Sequence, residues 1–184
     1  MKPPLLILVS GPSCTGKTTL ALRLGADLGL PVMCKDTIKE TLFEHLGWSD
    51  RAWSRRLGGA SVEVLYTFAE ALVAAGQSGI VEANFSPRYA TPAFQRIAAH
   101  YPFRPFQINC VADPGVLRAR FWARSRSGKR HPGHQDHLPP DSLDAPNPGR
   151  LPALDIGGQV IELDTSDWGA LDYPALLCQI QGVV

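Results

Sequence analysis

Net charge is almost absent from this chain: 18 lysines and arginines meet 17 aspartates and glutamates across 184 residues, a formal balance of +1. So even a balance gives no electrostatic footprint for nucleic acid or an anionic membrane surface. Long apolar runs are missing too. None approaches transmembrane length, and the N-terminal apolar stretch is too short for a signal peptide and lacks a cleavage site. A cytoplasmic location is therefore expected. Cysteine is sparse: Cys14, Cys34, Cys110 and Cys178 stand far apart with no metal-ligand spacing. Cys34 and Cys110 read as small buried apolar residues and Cys14 as a loop thiol, in reducing surroundings. No internal repeat is present. What remains is an ordinary globular balance, 45% hydrophobic and 19% charged, in a length that suits one domain over residues 1–184 with a real core.

The informative segment lies near the N-terminus. Leu5 to Val9 is a continuous apolar run, as expected of a strand buried on both faces. Gly11-Pro12-Ser13-Cys14-Thr15-Gly16-Lys17-Thr18 follows and fits the phosphate-loop pattern, with helix-forming residues from Thr19 onward. The glycines let the backbone curl so that successive N–H groups cradle phosphate oxygens. The helix that starts near Gly16 adds the positive end of its dipole. Lys17 reaches the β- and γ-phosphates, and the Thr18 hydroxyl is the expected ligand of Mg²⁺. The segment implies binding of a nucleoside triphosphate.

The rest of the chain alternates. Helices are expected over Thr18 to Leu28, Thr37 to Leu46, Pro92 to His100, Pro114 to Arg126 and Tyr173 to Ile180. Residues 49 to 76 read as one helical region, long or broken at Gly58-Gly59. Strands are expected at Leu30 to Cys34, Gly79 to Ala83, Phe103 to Val111 and Gln159 to Leu163. From Ser127 to Gly158 no hydrophobic period persists, the mark of a functional lid or an excursion. The alternation predicts an α/β fold on a parallel sheet, with ligands at the carboxyl ends of the strands.

Several residues outside the loop could carry chemistry. Asp36 follows the second strand and reads either as a helix N-cap or as a base toward a substrate hydroxyl. Lys35 beside it reads as a phosphate ligand or a surface lysine. Glu82, in an otherwise apolar strand, calls for a partner: Mg²⁺ through water, the substrate together with Asn84, or an ion pair with Arg88. No apolar strand ends in a Walker B aspartate, and Glu82 is the nearest substitute. Arginine outnumbers lysine throughout, a matter of genomic composition except for a cluster at 118 to 130. There Arg120 and Arg124 share a helix face, while Arg118 and Arg126 fit a solvated basic surface better. His131, His134 and His137 lack the helical i, i+4 pair of a zinc site, so they read as a loop touching substrate or nucleotide. Trp48 and Trp53 form either an acceptor wall or core.

These features resemble small P-loop kinases of nucleoside-monophosphate-kinase-like architecture, above all the group that includes chloramphenicol phosphotransferase, zeta toxins and the kinase domain of polynucleotide kinase. The resemblance rests on Gly11 to Thr18, on Asp36, on Arg120 and Arg124 followed by Arg130-His131-Pro132-Gly133-His134, and on Asp164-Thr165-Ser166. It implies a three-layer P-loop NTPase fold: a five-stranded parallel sheet of order 2-3-1-4-5, helices on both faces, and a lid over about 118–158. It also implies ATP and Mg²⁺ as cofactors, with Asp36 as base and Lys17, Arg120 and Arg124 as catalytic cations. Residues 11–19, Arg120 and Thr165 would hold nucleotide. Asp36, Glu82, Asn84, Arg88, Trp53 and His131 would face the substrate. The implied activity is phosphoryl transfer to a hydroxyl of a small molecule, an antibiotic or nucleoside-like natural product, by a monomer or homodimer. A nucleotide sugar, as for a zeta toxin, is the alternative acceptor, and the scant positive charge disfavours a polynucleotide. A nucleotide-binding regulatory module is the alternative from another class, but it would need a switch or effector domain that the sequence does not display.

Overall fold

The computed structural model describes residues 2–135 and 149–183. β1 (Leu5–Ser10) is buried at every position, as its unbroken apolar run requires. Its side chains alternate between two cores. Leu6 and Leu8 face one, with Val81, Leu65 and Phe94; Leu5, Ile7 and Val9 face the other, with Leu20, Leu24 and Ile180. Around it stand β2 (Val32–Cys34), β3 (Gly79–Glu82), β4 (Arg104–Val111) and β5 (Gln159–Asp164), all parallel, in the order β2-β3-β1-β4-β5. Six helices connect and cover them: α1 (Lys17–Leu28), α2 (Lys35–Leu46), α3 (Arg51–Ala74), α4 (Pro87–His100), α5 (Pro114–Arg126) and α6 (Tyr173–Gln181). This is the P-loop NTPase fold, with the sheet order that the resemblance implies.

One open reading is decided here, and three expectations need correction. α3 is unbroken through Gly58-Gly59, because Leu57, Ser61, Leu65, Ala69 and Val73 recur every four residues and are all buried. Each glycine costs about 0.5–1 kcal/mol against alanine in a helix, and burial of a leucine or valine returns about 1.5–3 kcal/mol, so the stripe wins. Asp50 caps its start by accepting from Trp53 N at 2.8 Å. α3 is also long and apolar enough to cross a bilayer, contrary to the reading that nothing in the chain is; its buried stripe marks it instead as a core helix. α4 begins at Pro87, in the first turn where a missing N–H costs nothing, and carries Pro92 inside it on an exposed face. Burial of Ala90, Phe94 and Ile97 holds that helix together.

The third correction bears on the site. α2 starts at Lys35 directly after Cys34, so Asp36 lies within the first turn and its side chain is not the cap. The parallel register sets Glu82 beside both Val9 and Cys34, at the end of the sheet where the phosphate loop leaves β1.

Candidate active site

The phosphate loop takes the shape that its glycines allow. Gly11 has φ +148° and lies so close to Cys110 that a Cβ would come within 2.3 Å of that carbonyl oxygen. Gly16, at φ +82°, ends the loop against the Trp168 indole, where a Cβ would stand 2.2 Å away. Cys14 also has positive φ, +70°, without being glycine. The Pro12 carbonyl accepts from Thr15 Oγ1 at 3.0 Å and from Lys17 Nζ at 3.1 Å, which folds the loop on itself and turns the lysine inward.

Glu82 is paired with Thr18 and Lys17 and not with Arg88. Thr18 Oγ1 donates to Glu82 Oε2 at 2.9 Å, and Lys17 Nζ lies 3.8 Å from Glu82 Oε1. Glu82 is 3% exposed, so this pairing is what makes a carboxylate at the end of an apolar strand tolerable. Arg88 lies instead over the Tyr89 ring at 5.4 Å. The neighbouring thiols are inert: burial pushes both Cys34 and Cys110 up to about 12, with Glu82 adding to the effect.

Two cavities meet here. The larger, about 460 Å³, is lined by the phosphate loop from Ser13 to Thr19, by Asp36 and by the inner face of α5. The smaller, about 180 Å³, is lined by Lys17, Lys35, Asp36, Glu82 and Asn84, with Arg124 and Arg130 opposite. Asp36, Lys17 and Arg124 border both. Asp113 caps α5 by accepting from Gly115 N at 2.7 Å and Val116 N at 3.1 Å. This sets Arg120 and Arg124 toward the cavities and leaves Arg118 and Arg126 exposed. Arg120 also works as a fork, donating to the Thr165 and Ser166 carbonyls at 2.8 and 2.9 Å and approaching the Cys14 carbonyl at 3.5 Å. It thereby ties α5 to the phosphate loop and to the turn after β5. The Thr165 side chain itself is buried and donates to the Val111 carbonyl at 2.9 Å, so only its backbone faces Arg120.

A latch closes over α2 from the far end of α5. Arg130 donates to Asp36 Oδ2 at 2.8 Å and to His134 Nδ1 at 3.0 Å, and His134 Nε2 meets Glu40 Oε1 at 2.8 Å. A guanidinium only donates, so His134 Nδ1 is the acceptor and its Nε2–H donates to Glu40. Burial first, and Arg130 second, push His134 down to about 3, which keeps the ring neutral. His131 stacks on Phe43 with centroids 5.0 Å apart and pairs with Glu44 at 3.0 Å. Gly133 lies against the same ring, where a Cβ would be 2.8 Å from it. Burial disfavours the charged form of Asp36. Arg130 and Lys35 more than offset this, and the carboxyl sits well below the usual range.

The structure thus gathers Asp36, Lys17, Thr18, Glu82, Asn84, Arg120 and Arg124 around one space. His131 belongs to the latch and lines neither cavity. Trp53 donates Nε1–H to the Gly47 carbonyl at 3.0 Å and lines neither cavity, and Trp48 is about half exposed. His137 lies outside the described residues. The sequence reading passed over Arg130, His134 and Glu40 as a connected set. Their 94-residue separations explain why; the only signal was the Arg-His-Pro-Gly-His run itself.

The AAA_33 model, described as an AAA domain, matches residues 6–140. Among solved structures, a candidate kinase from Chloroflexus aurantiacus j-10-fl is 40% identical, with a TM-score of 0.94 and full coverage of both chains. A gluconokinase from Sinorhizobium meliloti 1021 matches at 15% identity and TM-score 0.54, covering 100% of this chain and 97% of its own. The APS kinase of Mycobacterium tuberculosis, in complex with AMPPNP and APS, matches at 14% identity and TM-score 0.60, covering 100% and 98%. These last two share the fold alone. A comparison with curated proteins finds no match. The chain belongs to the AAA_33 family of P-loop domains, and its near neighbour in structure is a candidate kinase.

Proposed function

We propose that this protein transfers the γ-phosphoryl group of ATP to a hydroxyl of a small molecule. The observation that supports it best is Asp36, a carboxylate shared by the cavity of the phosphate loop and the smaller one beside it. In the transfer the acceptor oxygen bonds to the γ-phosphorus, the bond to the β–γ bridging oxygen breaks, and ADP leaves. The hydroxyl proton passes to an Asp36 oxygen. Lys17 and the backbone N–H groups of residues 13–18 hold the β- and γ-phosphates, and Arg120 and Arg124 offset charge on the transferring group.

Thr18 Oγ1 and Glu82 Oε2, 2.9 Å apart, are the hard oxygen donors that suit Mg²⁺, directly or through water. The ion would supply charge neutralisation between the β- and γ-phosphates. The low proton affinity of Asp36 fits a loose transition state, in which the attacking hydroxyl keeps its proton until late. The relatives' own acceptors (a gluconokinase's, an APS kinase's) differ from each other, and none points to an antibiotic. A panel of hydroxylated metabolites assayed for acceptor-dependent ADP release tests the reading. Stimulation by at least one of them is expected; ATP hydrolysis indifferent to every acceptor would point to a regulatory nucleotide-binding module.

A further inference from the structure

The latch joins its groups in series. α2 presents Asp36, Glu40 and Phe43, four and then three residues apart, so all three lie along one face of the helix. The segment after α5 returns Arg130 and His134 to that face. Arg130 Nη2 donates twice, to Asp36 Oδ2 at 2.8 Å and to His134 Nδ1 at 3.0 Å. A guanidinium nitrogen of this kind carries two hydrogens, and each bond uses one. The imidazole therefore bears directly on where the partner of Asp36 points.

The proton of the ring is placed as well. A neutral imidazole has one N–H, and Nδ1 facing Arg130 must be bare. The proton then sits on Nε2, where Glu40 Oε1 accepts it at 2.8 Å. The other tautomer would set N–H against N–H at Arg130 and a lone pair against the Glu40 carboxylate. Turning the ring over would present Cδ2 to Arg130, which accepts nothing. The surroundings hold the ring: the His134 side chain is 4% exposed and meets Phe43 edge-on, with centroids 5.4 Å apart. Burial and then Arg130 keep the ring uncharged, so it steers the guanidinium without competing for its charge. A carboxylate in the same place would draw that charge away from Asp36.

We propose that His134 is a positioning residue for Asp36: its bare Nδ1 holds Arg130 Nη2 in line with the carboxylate, and Glu40 keeps the ring in the tautomer that can do so. Its value to phosphoryl transfer rests on the reading of Asp36 as the base; the hold itself does not. The carboxyl feels Lys35 from its own helix and Arg130 and His134 from the segment after α5, while Lys17, Lys39, Glu82 and Arg124 share the smaller cavity with it. Burial raises it, and Arg130 is foremost among the groups that bring it down, ahead of Lys35. A guanidinium released from His134 keeps its charge but loses its aim at Oδ2, and the carboxyl rises.

Two substitutions separate the ring nitrogens. In His134→Asn the side-chain oxygen stands at the place of Nδ1 and still accepts from Arg130, while the donor to Glu40 is gone. In His134→Gln the amide stands at the place of Nε2 and still donates to Glu40, while the acceptor for Arg130 is gone. A residue that only closed the loop would be damaged alike by both. The Asp36 carboxyl, followed by ¹³C NMR against pH, reads the hold directly. In the wild-type protein and in His134→Asn it is expected not to titrate between pH 7 and about 4. In His134→Gln its midpoint is expected to rise above the ordinary 3.8. The ¹⁵N spectrum of the wild type should show His134 with Nδ1 bare and Nε2 protonated. Retained AMPPNP binding shows that each variant is folded. Equal titration of Asp36 in the two variants, a midpoint raised in His134→Asn but not in His134→Gln, or the opposite tautomer would overturn the inference. Turnover is read separately: activity unchanged in Asp36→Asn would defeat the base reading and leave the hold on Arg130 standing.

Discussion

At the scale of single residues, Asp36 is set apart by what surrounds it. Asp is a favoured capping residue, and its place after a strand made a cap the natural alternative to a base. The backbone decides against the cap, because α2 is already under way at Lys35 and the carboxylate turns to Arg130. That ion pair has a consequence for pH. If Asp36 takes the acceptor's proton, transfer needs the carboxylate form, and Arg130 helps to hold the carboxyl well below its ordinary 3.8. The wild-type profile of kcat/KM should therefore show no acid limb from Asp36 between pH 7 and about 4. In Arg130→Met burial remains and the main opposing charge is gone, so the folded-state value rises and activity should fall below about pH 5. An identical acid limb in the two proteins would show that Asp36 does not control the rate. Of these residues, Lys17, Thr18 and Asp36 were legible in the sequence because each sits in or beside a contiguous motif. Glu82 was legible only as a problem, a carboxylate in an apolar strand, since its partners stand at the start of α1, Thr18 being 64 residues earlier.

At the scale of elements, α5 and the latch divide the work. Arg120 and Arg124 face the cavities from one side of α5, and Arg118 does not. Alanine at 120 or 124 should lower turnover at least about tenfold, while Arg118→Ala stays within about twofold. Arg120→Ala should also weaken nucleotide binding, because its fork holds the turn at Thr165 and Ser166 against the phosphate loop. Equal kinetics for all three variants would reduce the helix to a solvated basic face. The latch carries its own pH dependence. His134 takes a proton in the folded protein only near pH 3, against 6.5 ordinarily, so between those values the unfolded chain binds more protons. Stability is full above about pH 6.5 and falls as pH drops through that window, by up to about 1.4 kcal/mol per pH unit. The decline in Tm from pH 7.5 to 5 should be shallower in His134→Gln; parallel curves would remove His134 as its source. Helix boundaries show where sequence and structure part. α5 was legible to the residue, with Asp113 and Pro114 both giving local start signals. The glycine pair left α3 open between a long and a broken helix, and Pro92 misplaced the start of α4, because local propensity lost to buried stripes and burial is a property of the whole fold.

At the scale of the whole molecule, the parallel register does the assembling. Pairing β1 with β3 and β3 with β2 brings the phosphate loop, Glu82 and the start of α2 to one end of the sheet. The remaining helices then wall three adjoining cavities, from the phosphate loop through Asp36 to the Lys39 side of α3. The alternation of elements announced a parallel sheet, and the resemblance supplied its order. The meeting of Asp36, Glu40, Arg130 and His134 was not legible, because it depends on how a segment 94 residues later returns to α2. The central claim is that Asp36 receives the acceptor's proton, and Asp36→Asn tests it most directly. Asparagine keeps the size and an oxygen that still accepts from Arg130, so the hydrogen bond of the latch remains while the proton acceptor is lost. ATP affinity, Tm and turnover measured on one preparation should show nearly unchanged affinity, a lowered Tm because Arg130 and Lys35 lose their counter-charge, and a fall in turnover of about a hundredfold to ten-thousandfold. Turnover that stays near the wild-type level would contradict the account.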